Sequence, residues 1–288
     1  MIASKSVLHL PDWSAIELPP HEAQVHAELG CHAGLMLPLM RSGTCIGVLG
    51  LLRIPAGPFS EREMALARSF ADHAVIAIEN VRLFNETKEA LEQQKASADV
   101  LEAISNSVSD TAPVFDKILS SCERLFASTE QGIVLVRKDG MVELAAHHGT
   151  ALPMLEEFYG RGVPARAYVK GIQAGRTLHV VDALDPSTHW TIREVAEHIR
   201  IGPYSQVLAP MAWEDEAVGF LYAIRQPATG FSAKEIALLE TFADQAVIAI
   251  QNARLFRETN EALEQQRVSG DVLKVISNSV ADVQPVFR

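Results

Sequence analysis

A self-match at a fixed offset of 172 residues constrains this chain more than any other feature. Phe70 to Phe115 aligns without a gap to Phe242 to Phe287, and 33 of the 46 paired positions are identical. Stretches this alike are copies of one structural unit, so a fold assigned to one must suit the other. Upstream the offset persists more weakly, pairing Gly30 with Gly202, Pro38 with Pro210, Gly47 with Gly219, Arg53 with Arg225 and Phe59-Ser60 with Phe231-Ser232. The first copy begins at about the equivalent of Gly171, so it holds no counterpart of residues 113 to 170. The expected division is a C-terminal half-domain over 1–80, a helical linker over 81–110 and a complete domain over 111–250. A second helical linker over 251–284 and the start of a third repeat at 285–288 follow, as expected of a fragment of a longer protein.

Within the complete copy, Val114, Ile118, Leu119, Cys122 and Leu125 recur at helical spacing, which predicts a helix over Pro113 to Phe126. Gly132 to Arg137 and Met141 to His147 are short apolar runs around Asp139-Gly140, a hairpin signal because glycine accepts the positive φ of a tight turn. Arg166 to Ala174 reads as a helix, Thr177 to Val181 as a strand, and His189 to Ile201 as a further helix. Gln206 to Ala212 and Ala217 to Arg225 form a second hairpin. Ser232 with Glu235, like Ser60 with Glu63, is a capping box that opens a long helix. In the first copy strands are expected near Val7 to Leu10, Leu35 to Met40 and Ile46 to Arg53. Five strands with interposed helices predict an α+β domain on a mostly antiparallel sheet.

Composition narrows the function classes. The formal net charge is −11, and no Lys/Arg cluster exceeds two residues, which argues against nucleic acid as a partner. No apolar run approaches the ~20 residues that span a bilayer, so no membrane insertion is expected. Cys31, Cys45 and Cys122 fit neither a disulfide framework nor a zinc pattern, which places the chain in a reducing cytoplasm.

The run Gly219-Phe220-Leu221, Arg225, Phe231-Ser232 with Glu235, Phe242-Ala243-Asp244-Gln245-Ala246, Ala249-Ile250 and Asn252-Ala253-Arg254-Leu255-Phe256 resembles the end of a GAF domain. The whole chain is similar to bacterial sensor proteins that string several GAF domains ahead of a histidine kinase or other output module. That resemblance implies an α+β fold, a GAF-like antiparallel sheet flanked by helices, with domains joined by long connecting helices. It also implies a non-catalytic module that dimerises and senses a small molecule or redox state, upstream of a kinase or cyclase output domain. Two alternatives stand beside it: the sensory part of a histidine kinase or nucleotide cyclase whose output domain is not in this chain, or a dimerisation scaffold that binds nothing. No GxxxxGK[ST] or GxGxxG phosphate loop is present.

From Val75 to Val108 there is no proline or glycine, and one continuous helix is expected. Phe84, Leu91, Gln94, Leu101 and Val108 fall on one seam, half apolar, that suits a parallel homodimer with Gln94 fixing register. A solvated spacer helix is the competing reading.

For a ligand pocket, the GAF resemblance points to helices crossing the sheet, and Tyr168, His179, Trp190 and Tyr204 are the candidate lining residues. No cofactor is predicted, and a small ligand of unknown identity is left open. Cys31-His32 is similar to the bilin attachment dipeptide of phytochrome-like GAF domains, but the repeat places it opposite Pro203-Tyr204 at a strand entry, later than the attachment position. His189, Glu194, Glu197 and His198 supply only one i, i+4 pair, too little for a zinc site, and no metal is expected. His147-His148 is expected to be exposed at a strand end, with no nucleophile in a recognisable context.

Overall fold

The computed structural model describes residues 5–18, 20–165, 176–188, 190–214 and 216–280. They fall into two compact units, Met1–Ala90 and Leu91–Arg288, each with its own sheet.

The first unit contains β1 (Leu8–Leu10), a 3-10 turn at Trp13–Ala15, α1 (Pro20–Leu29), β2 (Ala33–Arg41), β3 (Thr44–Arg53) and the beginning of α2 (Glu61–Asn106). Its antiparallel sheet has the order β1-β2-β3. Ser42 and Gly43 close the β2–β3 hairpin with φ of 44° and 81°, the positive pair that matches the twist of the flanking strands. Ala33, Leu35, Leu37 and Leu39 alternate inward from β2 and bury against Phe59, Ala67 and Ala71. The helix expected over Val75 to Val108 is present; it starts at the capping box and stops at Asn106. The Ser60 N–H donates to Glu63 Oε2 at 2.7 Å, and the Glu63 N–H donates back to Ser60 Oγ at 3.3 Å.

The second unit takes the last turns of α2 and adds α3 (Ala112–Phe126), β4 (Glu130–Val136), β5 (Met141–His148), α4 (Leu152–Gly160) and β6 (Val163–Pro164). Then come β7 (Leu178–Val180), α5 (Trp190–Ile199), β8 (Ser205–Trp213), β9 (Glu216–Arg225) and α6 (Ala233–Val280). All neighbours in its sheet, β6-β5-β4-β9-β8-β7, run antiparallel. The architecture is the α+β, antiparallel one expected, with six strands in place of five. The extra strand, β6, is two residues long and leaves no periodic signature in sequence; α4 was also unread. The helix expected over Arg166 to Ala174 lies outside the described residues.

This sheet is covered on both sides. On one, Ile133, Val207, Ala209, Met211, Leu221 and Ala223 meet α3 and α6, joined by Ala96, Val100 and Ile104 of α2. On the other, Val134, Tyr204, Leu208, Phe220, Tyr222 and Ile224 meet α4 and α5. Strands buried on both faces read as continuous apolar runs, which is why β8 and β9 show little alternation. α2 thus contributes Ala67 and Ala71 to the core of the first unit and Ala96, Val100 and Ile104 to that of the second. Among the described residues, no helix is long and apolar enough to cross a membrane.

Candidate functional site

The sheet face beneath α4 and α5 is mostly apolar and carries one buried chain of hydrogen-bonded polar side chains. Glu130, the first residue of β4, and His147, near the end of β5, have side chains 3% and 0% exposed. His147 Nε2 lies 2.9 Å from Glu130 Oε2, and its Nδ1 lies 2.8 Å from the hydroxyl of Tyr222 on β9. Glu130 also accepts from the Thr150 and Ala151 N–H groups, both at 3.0 Å, and from the Thr150 hydroxyl at 2.9 Å. These donors open the first turn of α4, where the helix dipole also favours a negative charge. Burial pushes the Glu130 carboxyl up, but the hydrogen bonds from His147, Ala151 and Thr150 together outweigh it and hold the group below the ordinary carboxylate range. Burial drives the Tyr222 phenol well above its ordinary value, and nearby Tyr159, Glu130 and Tyr204 add to the effect.

The expectation that His147-His148 is exposed fails for His147. Strict alternation along β5 would align position 148 with Val142 and Leu144 on this face. A bulge intervenes, since Ile133 pairs with Ala146 and Val134 with Leu144, and the extra residue inverts the register beyond it. His147 therefore turns inward, and His148 bonds Asp116 of α3 at 3.0 Å. Glu130 was not among the sequence candidates; a lone glutamate ahead of an apolar strand carries no signal that it will be buried.

Of the four pocket candidates, Tyr204 lies on this face immediately before β8. It is 0% exposed, and its hydroxyl has no hydrogen-bond partner among the described residues. Burial raises its phenol, with Tyr159 adding a smaller effect. His179, on β7, lines a groove of about 410 Å³ with Leu178, Val180, Asp182, Asp185 and Thr188. Its Nε2 is already engaged, accepting the Phe231 N–H at 3.0 Å. Trp190 is the first residue of α5, and its side chain lies outside the described part, as does the whole of Tyr168. Tyr204 and His179 therefore sit in different surroundings, one on a buried face and one on a groove.

The engagement of His179 is repeated in the other copy. There, His9 Nε2 accepts the Phe59 N–H at 2.9 Å. Arg225 stacks over Phe231 and Arg53 over Phe59, each guanidinium carbon 4.4 Å from the ring centroid. Arg225 also pairs with Glu235, and Arg53 with Glu63, the acidic members of the two capping boxes. The histidine, the stacked phenylalanine, the arginine and the box form a clamp that fixes the start of each long helix.

Among the described residues, no group of three or more His, Cys, Asp or Glu side chains converges to hold a metal ion. His198 stands 4.0 Å from Glu157, and its ring lies 5.6 Å from that of Phe158. Cys31 is buried just ahead of β2, in line with the strand-entry register read from the repeat. Burial pushes the Cys122 thiol up, its own backbone hydrogen bond offsetting little of this. Along α2, Phe84, Leu91, Gln94 and Leu101 of the seam are exposed, and Val108 lies exposed beyond the helix end.

The profile of one family, described as GAF domain, matches residues 1–78 and 110–250. Among solved structures, the phycoerythrobilin-bound GAF domain of a cyanobacterial phytochrome is 18% identical with a TM-score of 0.48, covering 58% of this chain and 99% of that one. A domain of a putative two-component sensor histidine kinase protein from Sinorhizobium meliloti 1021 is 19% identical with a TM-score of 0.41, covering 51% and 94%. The free methionine-R-sulfoxide reductase from Neisseria meningitidis, in complex with its substrate, is 16% identical with a TM-score of 0.45, covering 58% and 93%. The profile match spans more than half of the sequence and includes every strand described above and the first turns of both long helices, so this chain belongs to the GAF domain family.

Proposed function

We propose that the chain is a non-catalytic sensory module of bacterial signal transduction. In this reading a small ligand engages the α4/α5 face of the second unit, and the long helices pass the resulting bias to an output domain of kinase or cyclase type. Family membership supports the sensory role. The observation that carries ligand binding is the Tyr204 hydroxyl, fully buried and without a partner among the described residues. Leaving such a group unbonded costs about 1–3 kcal/mol, which a ligand carrying an acceptor would recover. A redox signal read through Cys122 is less well supported, because burial pushes its thiol up and a thiol reacts as its thiolate. The exposed seam residues on α2 favour association as a parallel homodimer, a reading that also suits a scaffold with no ligand.

Extraction of the purified full chain under denaturing conditions, followed by mass spectrometry, tests the sensor reading. A small molecule retained in stoichiometric amount by the wild type and lost in Tyr204→Phe is expected. Absence of any retained molecule, together with no thermal shift in the wild type across a metabolite panel, would leave the scaffold reading in its place.

A further inference from the structure

Glu130 is surrounded by donors: the His147 ring nitrogen, two backbone N–H groups and a hydroxyl. A carboxylate can only accept, so His147 must place a proton on Nε2 to face it. A neutral imidazole protonated there presents a lone pair at Nδ1, and the Tyr222 hydroxyl 2.8 Å away donates to it. The hydrogen bonds then all point one way, from Tyr222 through His147 to Glu130.

We propose that this chain is a proton-operated polarity switch, in which uptake of one proton by the Glu130–His147 pair reverses the hydrogen bond to Tyr222. Two placements of the added proton are available. On Nδ1 it gives an imidazolium; on Glu130 it makes the carboxyl a donor, and the imidazole moves its own proton from Nε2 to Nδ1. Either way Nδ1 becomes an N–H, the Tyr222 oxygen becomes its acceptor, and the Tyr222 hydrogen must leave His147. One proton enters from solvent, and no bond between heavy atoms changes. Tyr159 and Tyr204 both lie within electrostatic range of Tyr222 on the α4/α5 face, so acidification presents a new donor to that face.

Other groups around β5 are few. From β4 comes Glu130, and from β9 Tyr222. α4 brings Tyr159 and, at the far end of the strand, Glu156 in a groove with Arg137, Asp139 and Glu143. α3 brings Asp116, which bonds His148. β6 consists of Val163 and Pro164 and has no titratable side chain. The switch is a property of the second unit and does not depend on a ligand being present.

Long-range proton–nitrogen correlation spectra of the full chain, labelled at histidine nitrogen, read the tautomer directly. At about pH 8, His147 is expected as the Nε2–H form with a bare Nδ1. On acidification the added proton is expected to appear at Nδ1, with the Tyr222 ring signals moving at the same midpoint. Tyr222→Phe keeps the ring and removes the oxygen. The variant loses the Tyr222 bond in both states, but the bond from a protonated ring is the stronger of the two, so the variant should bind that proton at least roughly threefold more weakly. An Nδ1–H tautomer at the higher pH, no protonation of Nδ1 on acidification, or an unchanged midpoint in the variant would each overturn the proposal. Should the variant fail to fold, the wild-type tautomer together with the site of proton uptake on acidification decides it.

Discussion

Burial disfavours the charge of Glu130, while its bonds to His147, Thr150 and Ala151 favour it, and the bonds win. The folded-state pKa therefore lies below that of the unfolded chain, near 4.3. Such a group contributes stability that is fully present above the unfolded value and is lost as pH falls through the folded one. Glu130→Ala would leave the His147 donor and two backbone donors without their acceptor, at a cost of at least about 1–3 kcal/mol. Urea unfolding at neutral pH is expected to show that loss in the second unit. The difference from wild type should shrink as pH falls through the folded-state value of Glu130; a penalty below ~1 kcal/mol, or one unchanged across that fall, would contradict the role. The GAF resemblance, not a local sequence signal, singles out Tyr204, and the structure buries it on the α4/α5 face. Sequence could not show that His147 points inward, since the bulge that turns it is a property of strand pairing rather than of composition.

At the level of elements, the repeated signals were the readable ones. Both capping boxes, the Asp139-Gly140 turn and the helical period of α3 act over a few neighbouring residues, and the structure holds each of them. The clamp was only half visible, because Arg225 and Phe231 recur at the repeat offset but their stacking is a tertiary contact. Arg225 also donates through Nε to the Phe126 carbonyl and through Nη1 to the Gly230 carbonyl, each at 2.9 Å, tying the end of α3 to the start of α6. Lysine offers a single ammonium in place of a planar fork and cannot reproduce this set. Arg225→Lys is expected to cost about 1–3 kcal/mol. Arg53 lacks a counterpart of the α3 contact, so Arg53→Lys should cost less. Chemical denaturation of the two variants checks the order, and equal losses would mean that the Phe126 bond contributes nothing.

For the whole molecule, the exposed apolar stripe along α2 predicts association. Light scattering at micromolar concentration is expected to report a dimer, and Leu91→Asp with Leu101→Asp, which place charges in the seam, should yield a monomer. A wild-type monomer, or a doubly substituted dimer, would remove the seam from consideration. The two units should also differ in local stability. Equivalent helix positions are buried in the second unit and bare in the first: Phe242 is 0% exposed and Phe70 57%, while Ala253 is 5% exposed and Val81 61%. In the second unit α3 and the end of α2 cover this face, and β9 is paired on both edges, by β4 and β8. In the first unit β3 pairs with β2, and its other edge has no strand partner among the described residues. Less apolar area removed from water and an unpaired ladder both lower the free energy of local opening. Hydrogen exchange by mass spectrometry on a monomeric fraction is expected to show faster exchange over residues 46–52 than over the matching residues 218–224. Equal protection would mean that the first unit gains from contacts within one chain what the second gains from α3 and β4. Slow exchange that appears only as concentration rises would instead show that a second copy covers the bare β3 edge, as an unpaired edge strand invites.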